Sequence, residues 1–236
     1  MAYDGYTSID IFCDNYPDQS FFSENTINKF YNLGACKTLP KERIIYRIGD
    51  HPDDCYFIER GLVKSFEYDR KGNEYIYDLY AGGAILFGMG LFLNNNQLPL
   101  NFKTLFPTKV VCVPYPLMQA EIKKDPVFAR EIFRFISVSY CKSISEIREK
   151  SYRSIEWQFC DLILTLAYLF GIEYDGRIMI KESFSQQLLA NLLRVSRISV
   201  VRTIKKLQNE EQIEKINGYY CIRSMDTMKD YMRTLE

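Results

Sequence analysis

Apolar residues change their spacing twice along the chain, and the two changes divide it into three stretches. From Cys36 to about Val113 they come in short runs: Cys36–Leu39, Arg43–Tyr46, Cys55–Glu59, Leu62–Tyr68, Glu74–Leu79, Ala84–Phe87, Asn101–Phe106 and Lys109–Val113. Turn-forming segments stand between several of them: Gly49-Asp50, Arg60-Gly61, Asp69-Arg70-Lys71-Gly72-Asn73 and Gly82-Gly83. Short runs with regular punctuation predict an antiparallel sandwich or roll. In one of them Tyr75, Tyr77 and Leu79 alternate with Glu74, Ile76 and Asp78, which predicts a markedly aromatic strand face.

After Pro114-Tyr115-Pro116 the period becomes helical. A short helix is expected over Leu117–Lys123, and Asp125-Pro126 then provides a helix start with proline in the first turn. No glycine or proline interrupts the next stretch to about Tyr152. Phe128, Ile132, Phe135, Ile136, Tyr140, Ile144 and Ile147 recur close to a coiled-coil seam and are expected to form a homodimer interface. A second stripe, Phe133 and Ile136, is expected to face the strand domain. The alternative is a single helix packed on its own domain. Ser154–Phe170 is again amphipathic and stops at Gly171. Residues 1–35 predict an extended lead-in and a short helix near Ser23–Leu33, draped over the domain that follows. The expected organisation is a strand-rich domain over 1–123, a linking helix over 124–153 and a third domain over 154–236.

The third stretch carries the clearest chemistry. Two helical runs, Leu188/Leu189/Leu192/Leu193 and Val200/Val201/Ile204/Leu207, are separated by a break around Arg194–Ser196. Ser185 and Ser196 stand where each can cap a run by offering its hydroxyl to orphan amides. Ala190 is small where a second helix must cross closely. Arg194, Arg197, Arg202, Lys205 and Lys206 fall between residues 183 and 209 with no acidic residue among them. A strand is expected at Arg177–Ile180. Gln212–Ile216 and Tyr219–Ile222 flank Asn217-Gly218, a strong hairpin signal because both residues tolerate positive φ. A helix-turn-helix followed at once by a β-hairpin is a winged-helix pattern, and it reads as DNA-binding. The expected contacts are Ser185, Gln186, Ser196, Arg197, Ile198, Ser199, Arg202, Lys205 and Lys206. A helical hairpin with a solvated basic face is the alternative. A terminal helix is expected within 223–236.

Composition narrows the rest. The 30 Lys+Arg balance the 30 Asp+Glu, so any nucleic acid must be held by local patches. Apolar runs are too short to span a bilayer, which needs roughly 18 residues. The start, Met1-Ala2-Tyr3-Asp4-Gly5, lacks the basic and apolar character of an export signal, so a cytoplasmic protein is expected. The seven cysteines are scattered without metal-ligand spacing, and His51 is the single histidine, so a metal site and histidine-based catalysis are not expected. No nucleophile–base set or carboxylate pair stands out, which argues against an enzyme.

Three ordered motifs carry a family resemblance. Gly49-Asp50-x5-Tyr56-Phe57-Ile58-x2-Gly61-Leu62-Val63 with Asp69-x2-Gly72 resembles a β-roll signature. Ala81-Gly82-Gly83-x3-Phe87-Gly88 resembles its later glycine turns. Val195-Ser196-Arg197-x2-Val200-x-Arg202-x4-Leu207 resembles a recognition helix. Over roughly residues 20–222 the chain resembles the cyclic-AMP receptor protein/FNR (Crp/Fnr) family. The resemblance implies an α+β protein: an antiparallel β-roll of the cyclic-nucleotide-binding type, a long dimerisation helix and a winged helix. It also implies a homodimeric, effector-gated transcription regulator acting on RNA polymerase.

The departures from the family are equally specific. Members that bind cyclic nucleotides hold the phosphate with a Gly-Glu pair and an arginine. Here the matching stretch is Gly88-Met89-Gly90-Leu91-Phe92, and no arginine occurs between Arg70 and Arg130. A phosphate needs a charged, bidentate partner, so a cyclic nucleotide is not expected. Cys13 and Cys36 cannot hold an iron–sulfur cluster alone. The chain also resembles the halophenol-sensing branch through Asn15-Tyr16-Pro17-Asp18-x2-Phe21-Phe22, Tyr80-Ala81-Gly82-Gly83 and Glu131-Ile132-Phe133. That branch places a Tyr and a Lys on the long helix where Ile136 and Ser139 align. The effector expected is a small aromatic or apolar anion between the roll and the long helix, lined by Tyr77, Phe87, Met89, Phe102, Lys103, Ile136 and Tyr140, with Lys103 as countercharge. A redox-switched regulator using Cys13 or Cys221, a constitutive regulator and a haem-based sensor are the alternatives. Ile198 stands where relatives reading cytosine carry glutamate, so a T/A-rich inverted repeat is expected.

Overall fold

The computed structural model describes residues 8–15, 21–93 and 96–235. The chain forms two compact units, Ser20–Ser137 and Val138–Glu236, the second including the N-terminal residues up to Gln19. Among the described residues no helix is long and apolar enough to cross a membrane.

The first unit is the expected roll. Its helix α2 (Glu24–Leu33) starts at Ser23, whose hydroxyl accepts from the Thr26 amide. Eight strands follow: β1 (Ala35–Leu39), β2 (Ile44–Tyr46), β3 (Asp54–Arg60), β4 (Leu62–Tyr68), β5 (Glu74–Ala81), β6 (Ile85–Leu86), β7 (Asn101–Thr104) and β8 (Thr108–Pro114). They make two antiparallel sheets, ordered β1-β8-β3-β6 and β2-β7-β4-β5. Gly61 turns β3 into β4 at φ +111, and a Cβ there would lie 2.6 Å from the Thr108 backbone, so only glycine fits.

The aromatic face expected of β5 is interrupted. Ser65 pairs with Asp78 but Phe66 with Ile76, which leaves Tyr77 as the extra residue of a bulge. Alternation therefore breaks at Tyr77, and the buried side chain is Ile76.

Helix α3 (Tyr115–Lys124) and the long helix α4 (Pro126–Tyr152) follow the roll. Phe30 stacks on Phe57 at 4.6 Å and meets Phe128 at 5.7 Å, while Phe22 meets Phe135 at 5.5 Å. This cluster fixes α2 and the start of α4 to β3, and Glu131 adds a carboxylate that accepts from the Ser23 amide at 2.9 Å. Aromatic rings of this size dominate core energetics through the area they bury.

The cluster also corrects the face assigned to α4. Phe128, Ile132 and Phe135, expected at a dimer interface, are buried inside the roll unit. Phe133 and Ile136, expected to face the strands, are exposed. The outward stripe is Phe133, Ile136, Tyr140, Ile144 and Ile147, spaced by three and four residues. Two faces of α4 carry apolar residues, and periodicity alone does not say which one the same chain covers.

The second unit begins with α1 (Ser8–Asn15). The lead-in was expected to lie on the strand domain. Instead α1 packs against α5 (Ile155–Phe170) with Ile11 buried, and Asp10 accepts from Lys229 at 2.7 Å. Ser154 caps α5 through the Trp157 amide, and Gly171 ends it. A Cβ at Gly171 would lie 2.2 Å from the Ala167 carbonyl oxygen, so the chain can leave the helix this closely only as glycine. Strands β9 (Gly171–Tyr174), β10 (Arg177–Ile180), β11 (Ile213–Ile216) and β12 (Tyr219–Ile222) form one sheet ordered β11-β12-β10-β9. Helices α6 (Gln186–Leu193), α7 (Arg197–Asn209) and α8 (Met225–Arg233) complete the unit.

Candidate nucleic-acid interface

Two serine caps set the frame of the interface. Ser185 accepts from the Leu188 amide at 3.1 Å and Ser196 from the Ser199 amide at 3.1 Å, each satisfying one orphan donor of a first turn. Between them Arg194 adopts the left-handed conformation, φ +57 and ψ +38, that ends α6 where glycine is more usual. The tight turn lets α6 and α7 cross over Leu189, Ala190, Leu193, Val200, Ile204 and Leu207, all buried. Each fully buried aliphatic side chain is worth about 1.5–3 kcal/mol, so this core fixes the outward face of α7. Asn217 and Gly218 both have positive φ, as the two-residue turn of the wing requires.

Arg197, Ile198, Arg202, Lys205 and Lys206 are all exposed on α7. Ile198 is 65% exposed, a large apolar side chain held in solvent at the first turn. Arg197 donates to the Gln186 side chain at 3.3 Å, so the first residue of α6 steadies the first residue of α7. Arg202 and Lys205 form no ion pair among the described residues. The Ser196 and Ser199 hydroxyls lie 2.9 Å apart, and Ser199 is half-buried, so both serve the cap first. Lys206 differs from its neighbours: its ammonium lies 2.6 Å from Glu156 of α5. The Tyr231 hydroxyl of α8 contacts that same carboxylate. Sequence reasoning found neither Glu156 nor Tyr231, because residues 50 and more positions apart leave no periodic signal.

The expected effector residues are scattered. Phe87 and Phe102 come together, ring centroids 4.9 Å apart, inside an aromatic cluster with the buried Tyr56 and the half-buried Tyr46. Phe87 holds φ +63, and its carbonyl accepts from the buried Tyr115 hydroxyl at 2.7 Å. Lys103 follows Phe102 on β7, so its side chain leaves from the opposite sheet face, where it pairs with Glu42. Lys103 and Phe102 therefore do not line one pocket, which corrects the expected countercharge. Tyr77 is the bulge residue and donates to Glu67. Ile136 and Tyr140 lie on the outward stripe of α4. The Met89 side chain falls outside the described residues, as do Tyr16, Pro17 and Asp18.

Comparison with known proteins agrees with this arrangement. Residues 36–125 match the cyclic nucleotide-binding domain, and residues 159–231 match the Crp-like helix-turn-helix domain. The chain is 23% identical over 179 residues to the global nitrogen regulator of Nostoc sp., covering 75% of this chain and 80% of that protein. It is 22% identical over 187 residues to electron transport regulator A of Shewanella oneidensis, covering 79% and 73%. Among solved structures it is similar to the c-di-GMP-responsive global regulator CLP of Xanthomonas campestris. The TM-score is 0.70 at 17% identity, over 86% of this chain and 100% of that one. With a roll of the cyclic-nucleotide-binding type and a Crp-like helix-turn-helix in this order, the chain belongs to the Crp/Fnr family of transcription regulators.

Proposed function

We propose that this regulator binds a T/A-rich inverted repeat as a homodimer, reading bases with Arg197, Ile198 and Arg202 and holding phosphate with Lys205. The observation that carries this reading is the outward face of α7, where Arg197 and Arg202 flank an apolar side chain kept in water. An isoleucine accepts nothing from a cytosine amino group, and it packs well on a thymine methyl. Pairing through the exposed stripe of α4 supplies two such helices for two half-sites about one DNA turn apart, the arrangement a palindrome needs. The resemblance to the family extends the reading to RNA polymerase as the machinery acted on.

The gating effector is a small aromatic or apolar molecule rather than a sugar phosphate. The roll presents aromatic rings at Tyr46, Tyr56, Phe87 and Phe102, and offers no arginine between Arg70 and Arg130 to hold a phosphate. A redox switch at Cys221 has less support, since Cys221 is buried and burial pushes its thiol up, away from the reactive thiolate.

Selection of bound duplexes from a random pool tests the reading, with a T/A-rich inverted repeat expected and a G·C-rich half-site fatal to it. Arg197→Ala is expected to cost about 1–3 kcal/mol of specific binding. A thermal-shift screen of phenols and aromatic acids tests the effector class, since a true ligand stabilises by mass action.

A further inference from the structure

Arg202 and Lys205 of α7 stand in solvent without an ion pair among the described residues, but Lys206 does not. Its ammonium lies 2.6 Å from the Glu156 carboxylate and 3.9 Å from that of Glu210. Both carboxylates also converge on the Tyr231 hydroxyl. A hydroxyl has one proton, so it donates to one of the two at a time, and two carboxylates sharing a site repel. The Lys206 cation beside them offsets that repulsion, and the hydrogen bond to Glu156 holds its pKa above the ordinary lysine range. Glu156 is 15% exposed, so the network is partly shielded from solvent on the α5 side. An isolated surface ion pair contributes little, but a network in which each charge has two partners is the recognised exception.

We infer that Glu156 and Tyr231 are positioning residues of the DNA interface: they keep Lys206 on the protein side and brace the C-terminal end of α7 against α5 and α8. Phosphate neutralisation at this end of α7 then falls to Lys205, which is exposed and forms no ion pair among the described residues. Two adjacent lysines of the same helix thus divide between two tasks, one to the nucleic acid and one to the aim of the helix. The inference rests on α7 being the DNA-contacting helix.

The test is the salt dependence of binding to a mixed-sequence DNA duplex, measured by fluorescence anisotropy on the full chain. Each phosphate contact adds about 0.9 to the slope of log K against log salt. Lys205→Met is expected to flatten the slope by about 0.9 for each bound subunit. Lys206→Met is expected to lower the melting temperature and leave the slope unchanged. Glu156→Gln frees the Lys206 ammonium from its nearer carboxylate, and is expected to steepen the slope by about 0.9 in turn. The double variant Glu156→Gln/Lys206→Met should return to the slope of the unaltered chain. Tyr231→Phe is expected to weaken binding with no change of slope. If Lys206→Met flattens the slope as Lys205→Met does, Lys206 touches phosphate and the inference is overturned. Should Glu156→Gln fail to fold, the slope of Lys206→Met, a substitution at an exposed position, decides by itself. Should the unaltered chain bind DNA with no salt dependence at all, the DNA-contacting role of α7 falls first and takes the inference with it.

Discussion

The first half of α4 buries Phe128, Ile132 and Phe135 and leaves Phe133 and Ile136 in solvent. The second half buries Lys142, Ser145 and Glu149 and leaves Tyr140, Ile144 and Ile147 there. The halves belong to different compact units. In the first half, burial follows apolarity, as it does in any helix packed on its own domain. In the second half, past the buried Val138, it runs the other way. The polar residues turned inward satisfy each other: Ser145 donates to Glu149 at 2.8 Å, and Glu146 pairs with Lys142 at 2.8 Å and Lys150 at 3.6 Å. The apolar residues turned outward continue the line that Phe133 and Ile136 begin. A contiguous exposed apolar stripe on one helix is the mark of an interaction surface. The contrast teaches that the residues of this helix that look most seam-like in the sequence, Phe128, Ile132 and Phe135, are the ones its own chain covers.

The comparison breaks most sharply at Ile144, which is 50% exposed in the single chain. Ile144→Asp is expected to leave the melting of the subunit nearly unchanged and to abolish its pairing. An uncompensated charge in a buried interface costs about 3–5 kcal/mol, so dimer dissociation should rise roughly a hundredfold or more. Sedimentation velocity reads this directly, and DNA affinity should fall with it because two half-sites are needed. A variant that stays dimeric would show that the outward stripe is not the seam. Phe128→Ala reverses the pattern. Phe128 is 1% exposed, and its loss is expected to cost about 3–5 kcal/mol of stability with pairing intact. Chemical denaturation measures it, and an unchanged midpoint would place Phe128 outside the core.

The sequence showed a great deal of this molecule, and what it hid has a common cause. Strand β4 at Leu62–Tyr68, strand β10 at Arg177–Ile180 and the caps at Ser185 and Ser196 were legible because each depends on residues a few positions apart. The wing turn at Asn217-Gly218 was legible because positive φ strongly selects those two residues. The docking of α1 was not, since it depends on Asp10 meeting Lys229 from the far end of the chain. The bulge at Tyr77 was hidden too: a sequence alternates through a bulge that only the partner strand reveals. At the interface, Arg197 and Arg202 could be named from spacing, while the detour of Lys206 to Glu156 needed the packing of α5 against α7. Among the expected effector residues, Lys103 failed to join Phe102 for a local reason, the two-residue period of a strand, and this was legible from the start.

Two smaller substitutions sharpen the contrast between the halves of α4. Ser145 is 5% exposed, donates to Glu149 and accepts from Arg148 at 3.0 Å. Ser145→Ala should therefore cost about 1–2 kcal/mol, since Glu149 keeps other partners and is not orphaned. The smallest expected effect is at Phe133, five positions after Phe128 in the same helix and of the same residue type. Phe133 is 49% exposed, and the contact to be lost is one tilted ring at 5.4 Å, that of Phe92, itself 45% exposed. Such a pair contributes about 0.5–1.5 kcal/mol when well packed, so Phe133→Ala should cost the subunit less than about 1 kcal/mol. Measured below the concentration at which subunits pair, the two phenylalanines should thus differ severalfold in their effect on denaturation. Above it, Phe133→Ala should also weaken pairing, as Phe128→Ala should not. If the two variants unfold alike in the dilute regime, Phe133 is packed by its own chain, and the outward stripe begins only at Ile136.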